Sequence, residues 1–274
     1  MTRVLSSRAM VSGAANDAQD AQDAQDAQDA QRRHYDEIGA EYEATYGDRW
    51  SMEYRRRFIN GPMFEGMDLR GKSVLEAMCG SGQTTAQLLE LGASVTGLDL
   101  SPQMTRSFAR TWPECKVIQA SIVESGLPGE SFDAVVIVGG LHHLHPHVDE
   151  ALREVHRLLR PGGHLCFVEP HASSFHDVFR RLWYRMDRLF ERNEAAIDVD
   201  ALKSRFAGQF VVEREHYLGN LAYFLVLNSM VFRAPKALKQ VYSRPLMALE
   251  GALPFLQRKR VAAFCVCRWR KLAV

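Results

Sequence analysis

The chain lacks any apolar run approaching the ~18 residues that a membrane-crossing helix needs. Its longest candidate, Leu221-Ala-Tyr-Phe-Leu-Val-Leu227, stops at Asn228. An integral membrane segment is therefore not expected, which leaves peripheral membrane contact open. The N-terminus carries Arg3 and Arg8 among serines, without an apolar core of signal-peptide length. Cysteine is scarce: five residues, at positions 79, 115, 166, 265 and 267, with no Cys-x-x-Cys pair. An odd, scattered set argues against a disulfide framework and for reduced thiols in a cytoplasmic protein. An excess of one charge is missing too, since 34 Lys and Arg face 33 Asp and Glu. A general nucleic-acid binder would carry a strong basic surplus, so that class is excluded. What remains is a 274-residue globular chain, 46% hydrophobic, with room for one sizeable domain and an appended subdomain.

Large apolar side chains are also absent from Asp17 to Gln31, where the triplet Asp-Ala-Gln recurs. A period of three lays no stripe on a helix, so residues 1–31 read as a solvated, disordered tail. From Arg32 to Met67 the pattern turns helical. Tyr35, Ile38, Tyr42 and Tyr46 recur on one face. That face either covers a ligand pocket or packs as an ordinary amphipathic helix.

Strands and helices then alternate. Strand 73–78 precedes helix 83–91, and strand 94–99 precedes helix 102–110. Strand 116–120 leads through a loop to strand 132–138, helix 148–160 and strand 164–168. This order predicts a Rossmann-like α/β sheet with helices on both faces. Ala134-Val-Val-Ile-Val138 is apolar throughout, as a parallel strand buried on both sides requires. Pro161-Gly162-Gly163 reads as the stop of helix 148–160 and the turn into the next strand. Phe210–Tyr217 and Ala262–Arg270 read as two further strands, completing seven. About forty mostly helical residues lie between them. Val178, Phe179, Leu182, Trp183, Met186, Leu189 and Phe190 form one helical face, with Arg180, Arg181, Arg185 and Arg188 opposite. That basic face is read as solvated; the sharper alternative is contact with an anionic substrate or membrane surface.

The chain is organised around Ser73-Val-Leu-Glu76-Ala-Met78-Cys-Gly80-Ser-Gly82-Gln-Thr84-Thr85. A short strand breaks into a glycine turn and opens a helix, whose free N–H groups face the turn. A second strand ends in Asp99, where Rossmann-type folds hold ribose hydroxyls. Four more blocks follow: Gly97-Leu-Asp99-Leu-Ser-Pro102, Leu127-Pro-Gly-Glu-Ser-Phe-Asp133, Gly139-Gly-Leu-His142-His143-Leu144 and Leu158-Leu-Arg-Pro161-Gly-Gly163. In this order the blocks resemble the class I S-adenosylmethionine-dependent methyltransferases, in their small-molecule branch. The resemblance covers roughly Tyr35 to Pro170 well and the last hundred residues loosely.

The resemblance implies S-adenosylmethionine as cofactor and a small-molecule acceptor. Glu76 would stand near the methionine portion, and Gly80 and Gly82 would make room for the cofactor. Asp99 would accept from both ribose hydroxyls, with Leu100 against the adenine. Met78, Thr84, Met104, Ser121, Ile122 and Gly139 complete the implied cradle. Two positions depart from the family pattern. Met78 stands where the E-x-G-x-G run has its first glycine. Gln119-Ala-Ser121-Ile122 lacks the acidic residue that often holds the adenine amino group. The implied organisation is one methyltransferase domain over 32–274, with its core at 68–170, a helical N-terminal cover and a helical C-terminal cap at 171–258.

Four histidines, at 142, 143, 145 and 147, crowd the loop after the fourth strand. Their spacing matches no zinc pattern, so no metal is assigned. His142 or His143 is instead a candidate general base, His143 preferred, since imidazole titrates near neutral pH. Their alternative role is packing or binding the cofactor's carboxylate end. Glu169 and His171, on the same rim, are candidates to touch the acceptor. The expected reaction is methylation of a hydroxyl on a small or medium-sized metabolite. Nitrogen or carbon acceptors, lipid-linked or quinone- or polyketide-like, are the alternative. A nicotinamide-dependent oxidoreductase fits less well, because the turn lacks a full G-x-G-x-x-G. A non-catalytic partner protein on the same fold has only Met78 in its favour.

Overall fold

The computed structural model describes residues 47–172, 174–177, 195–228 and 236–273. The expected tail at 1–31, the tyrosine stripe at 35–46 and the arginine-faced helix at 178–190 lie outside the described residues.

A seven-stranded sheet forms the centre, in the order β3-β2-β1-β4-β5-β7-β6. The strands are β1 (Ser73–Ala77), β2 (Ser94–Asp99), β3 (Lys116–Gln119), β4 (Phe132–Val138), β5 (Leu159–Pro170), β6 (Phe210–Leu218) and β7 (Phe264–Lys271). β1 to β5 pair in parallel, and β7 runs antiparallel between β5 and β6. The helices are α1 (Arg49–Tyr54), α2 (Gly61–Phe64), α3 (Thr85–Glu90), α4 (Pro102–Thr111), α5 (Val148–Leu158), α6 (Val199–Arg205) and α7 (Lys236–Ala252). A π-helical turn, Arg55–Asn60, joins α1 to α2.

The all-apolar β4 run sits where its composition sends it. Successive side chains of a strand point to opposite faces. Val135 and Ile137 accordingly join a core with the α5 stripe Ala151, Leu152, Val155 and Leu158. Ala134 and Val136 join a second core with Tyr54, Phe58, Met63 and Leu88. The sequence pattern misplaces one boundary. Helix α5 ends at Leu158, and Leu159 is already extended, at ψ 136. Pro161-Gly162-Gly163 therefore lies inside β5 rather than before it, beside a register shift opposite Phe132 and Ala134. Backbone crowding explains the small residue there, since a Cβ on Gly163 would come within 2.9 Å of Arg160 O and 3.0 Å of Asp133 O.

The N-terminal cover is fastened to the cap by two buried polar clusters. Asp48 caps α1 through Trp50 N at 2.9 Å and pairs with Lys239 of α7. Tyr54 Oη donates to Glu250 Oε1 at 2.6 Å, and Glu250 Oε2 accepts from Ala222 N at 2.7 Å. Each of these charged groups leaves water for a set of partners, as burial requires. Together they hold α7 on the second core, which Met247 joins.

Candidate active site

At the C-terminal ends of β1, β2 and β4 the chain leaves a cleft that opens to solvent. Its place is the one where open α/β sheets take ligands. Gly80 lines it at φ 53, with nothing within 4 Å of where a Cβ would stand. Asp99 lines it from the end of β2. Its Oδ2 accepts from Gly80 N at 2.8 Å and its Oδ1 from Ser101 N at 2.9 Å. These bonds fix the carboxylate against the glycine turn, and an ionised carboxylate retains lone pairs for further donors.

Of the remaining residues expected in a cradle, Met78, Leu100, Met104, Ser121, Ile122 and Gly139 also line the cavity. Gln83, Ser101, Ala120, Val138, Gly140 and Leu144 line it as well, and sequence reasoning missed them. Glu76, Gly82 and Thr84 lie behind the turn instead. The space beside Gly82 belongs to Trp112, whose indole ring would clash with an added Cβ and whose Nε1 donates to Ser81 O at 3.1 Å. The missing Cβ of Gly82 thus makes room for a tryptophan against the turn. Nothing in the local sequence pairs position 82 with position 112.

Met78 is in the left-handed region at φ 54, where a glycine would sit without strain. A side chain there costs about 1–3 kcal/mol. Its sulfur lies against Gly140, where a Cβ would meet Met78 Sδ at 2.6 Å. The departure from the family pattern therefore changes the wall of the cavity and leaves the backbone path intact.

Glu76 is buried and organises the start of α3. It accepts from Thr84 N at 3.2 Å and from the Thr85 hydroxyl. Burial pushes its carboxyl up from 4.5 to about 7, although those bonds and the charge of Arg55 pull the other way. Between these values the folded chain holds a proton that the unfolded chain has released. Stability from this group therefore falls as pH rises from about 4.5 to about 7, by about 3 kcal/mol in all. Glu76→Gln, which cannot ionise, should remove that slope. Urea unfolding across the window is expected to shift the difference in the variant's favour as pH rises; a flat difference would contradict the buried proton.

The histidine loop is built on Glu169. This carboxylate, 0% exposed, ends β5 and reaches under the loop. Its Oε1 accepts from Gly140 N at 2.8 Å and Leu141 N at 2.7 Å. Its Oε2 accepts from His142 N at 3.3 Å and meets His142 Nδ1 at 2.7 Å. A carboxylate receiving this many N–H groups can only accept, so the His142 proton sits on Nδ1. His142 is thereby turned inward. Its ring stacks on His143 with centroids 3.9 Å apart, and His143 is the histidine on the cavity wall. The expectation that Glu169 or His171 touches an acceptor does not fit this burial. Glu169 is enclosed by the loop, and His171, 2% exposed, meets Ala262 O through Nε2 at 3.0 Å. Among the described residues no group of three or more His, Cys, Asp or Glu could hold a metal ion.

Glycine turn, strand-end carboxylate and apolar walls on a parallel sheet make up a Rossmann-like cleft. Residues 75–167 match the model of the family described as a methyltransferase domain. Over 112 residues the chain is 34% identical to the phthiotriol/phenolphthiotriol dimycocerosates methyltransferase of Mycobacterium leprae, covering 39% of this chain and 41% of that one. Over 166 residues it is 30% identical to the malonyl-acyl-carrier-protein O-methyltransferase of Enterobacter lignolyticus, covering 59% and 64%. A solved S-adenosylmethionine-dependent methyltransferase from Thermotoga maritima superposes with a TM-score of 0.58 at 17% identity, covering 87% of this chain and 99% of that one. At that identity the likeness shows the fold. The matched core, residues 75–167, is a methyltransferase domain on a class I, Rossmann-like fold. The chain spans about half the length of the curated relatives it matches.

Proposed function

We propose that this chain transfers a methyl group from S-adenosylmethionine to a hydroxyl of a small or medium-sized, largely apolar acceptor. The residues present fit that cofactor. Asp99 faces the cavity where a ribose diol would need an acceptor, and Gly80 leaves the backbone open to close approach. Leu100, Met104, Ile122 and Leu144 offer apolar surface suited to a flat adenine ring. When bound, the cofactor supplies a methyl group on a sulfonium, already reactive toward a nucleophile. The chain's own work is to align the acceptor, exclude water and take a proton from it.

The observation that carries the hydroxyl reading is His143. Its imidazole is on the cavity wall beside Gly139 and Gly140, backed by the stacked His142 and the buried Glu169. An imidazole so placed can accept the proton of a hydroxyl as its oxygen attacks. The two curated relatives, one acting on phthiotriols and one an O-methyltransferase by name, support an oxygen acceptor and an apolar one. The cap, 171–258, is where acceptor specificity would be set. The chain's five free cysteines fit a cytoplasmic enzyme.

His143→Ala tests the assignment once an acceptor is found by screening phenolic, quinol and fatty hydroxyl compounds. The turnover rate is expected to drop about 10²-fold or more, with S-adenosylmethionine affinity nearly unchanged. The fall in rate on the acid side of the pH profile should also vanish. An unchanged rate would remove His143 from the chemistry.

A further inference from the structure

Helix α7 buries polar side chains beside Met247 and leaves apolar ones outside. Lys239, Ser243 and Glu250 are 3%, 0% and 4% exposed, packed against the N-terminal cover. Leu238, Val241 and Leu249 are 55%, 74% and 44% exposed. At 100° per residue, Leu238, Val241, Pro245, Leu249 and Ala252 fall on one stripe of the helix. That stripe faces out. A surface helix ordinarily turns the other way.

The apolar surface continues past the helix. Phe255 is 56% exposed in the short 3-10 turn Pro254–Leu256, and Leu221 is 54% exposed nearby, where Asn220 Nδ2 donates to Leu256 O at 3.3 Å. The exposed charges of its own stretch are basic, while Glu53 and Asp200 nearby pair with Arg56 and Lys259. From 237 to 263 the single acidic residue is Glu250, which is buried, while Arg244, Arg258 and Arg260 are exposed. Arg57 joins them, its guanidinium against Gly251.

We propose that this face of α7 and the turn after it docks the protein onto an anionic lipid surface. Apolar side chains enter the headgroup boundary while arginines meet the lipid phosphates, and binding grows with both. The charge pattern argues against a second copy. A two-fold interface sets the same patch against itself, which would bring Arg244, Arg258 and Arg260 of the two copies together, with no exposed acid in the stretch 237–263 itself. An interfacial position would also bring an apolar acceptor to the cavity, although the docking inference does not depend on the methyl-transfer reading.

Full-length protein should be sedimented with vesicles of phosphatidylcholine alone and of phosphatidylcholine with phosphatidylglycerol. Partition onto the anionic vesicles is expected, weakening as salt rises. The double variant Leu238→Asp, Val241→Asp should bind at least about 10-fold more weakly. Its melting temperature should stay close to the original, since both side chains are exposed. Arg258→Gln with Arg260→Gln should lower binding to anionic vesicles and reduce its salt dependence. Three results would overturn the proposal: no partition onto either vesicle, binding untouched by the aspartates, or a concentration-dependent dimer that they abolish. S-adenosylmethionine titration of the same samples separates this outcome from the fate of the active-site reading.

Discussion

Glu169→Ala is expected to remove about 3–5 kcal/mol of folding stability and to cut methyl transfer about 10²-fold or more in whatever folds. Glu169 serves Gly140 N, Leu141 N, His142 N and His142 Nδ1 from a position with no solvent access. Alanine leaves those donors without a carboxylate, and each unmet buried donor costs ~1–3 kcal/mol. Water entering the space would recover part of the sum, which sets the range below a simple total. A loss of that size is a large fraction of a typical domain's 5–15 kcal/mol. The rate would suffer separately, because a loop displaced by about 1 Å misplaces His143 against the acceptor. Glu169→Gln is a sharper probe, since its amide turns an N–H toward other N–H groups. Denaturant unfolding should find it destabilised despite an almost unchanged shape. Full stability in both variants would mean that the loop holds itself.

Asp99→Ala is expected to weaken S-adenosylmethionine binding by about 2–4 kcal/mol, roughly 30- to 1000-fold. Two effects add. The ribose diol loses a charged acceptor, worth ~1.5–3 kcal/mol per hydrogen bond. The glycine turn also loses the bond from Gly80 N to Asp99 Oδ2, so the cradle is less well formed before the ligand arrives. Asp99→Asn separates the two, because its single carbonyl can serve either the turn or the ribose. Ligand-induced thermal stabilisation measures both variants. At a hundredfold excess over its dissociation constant a ligand stabilises by about 2.7 kcal/mol, and that gain should fall below about 1 kcal/mol for alanine at the same concentration. An undiminished gain would place the ribose elsewhere.

The parallel sheet was legible because its residues state it locally. Ala134 to Val138 can be nothing but a strand buried on both faces, and the α5 stripe is regular over its whole length. The cavity's walls were legible wherever residues sit at strand ends, as Asp99, Leu100 and Gly139 do. What escaped reading depends on pairs distant in the chain. Glu169 bonds a loop some thirty residues earlier, Trp112 fills the space at Gly82, and Glu250 joins α7 to Tyr54. Each looks ordinary in its own stretch. The outward stripe of α7 is the same lesson inverted. Periodicity marks an apolar face but does not say which way it turns, and the buried partners of Lys239 and Glu250 decided that.

Calorimetric titration of the full-length protein with S-adenosylmethionine, its demethylated product and NAD tests the central claim most directly. Saturable binding of the first two at a single site, with no heat from NAD, is the predicted result. Binding of NAD in their place, or of none of the three, would contradict a methyl-donor site in this cavity.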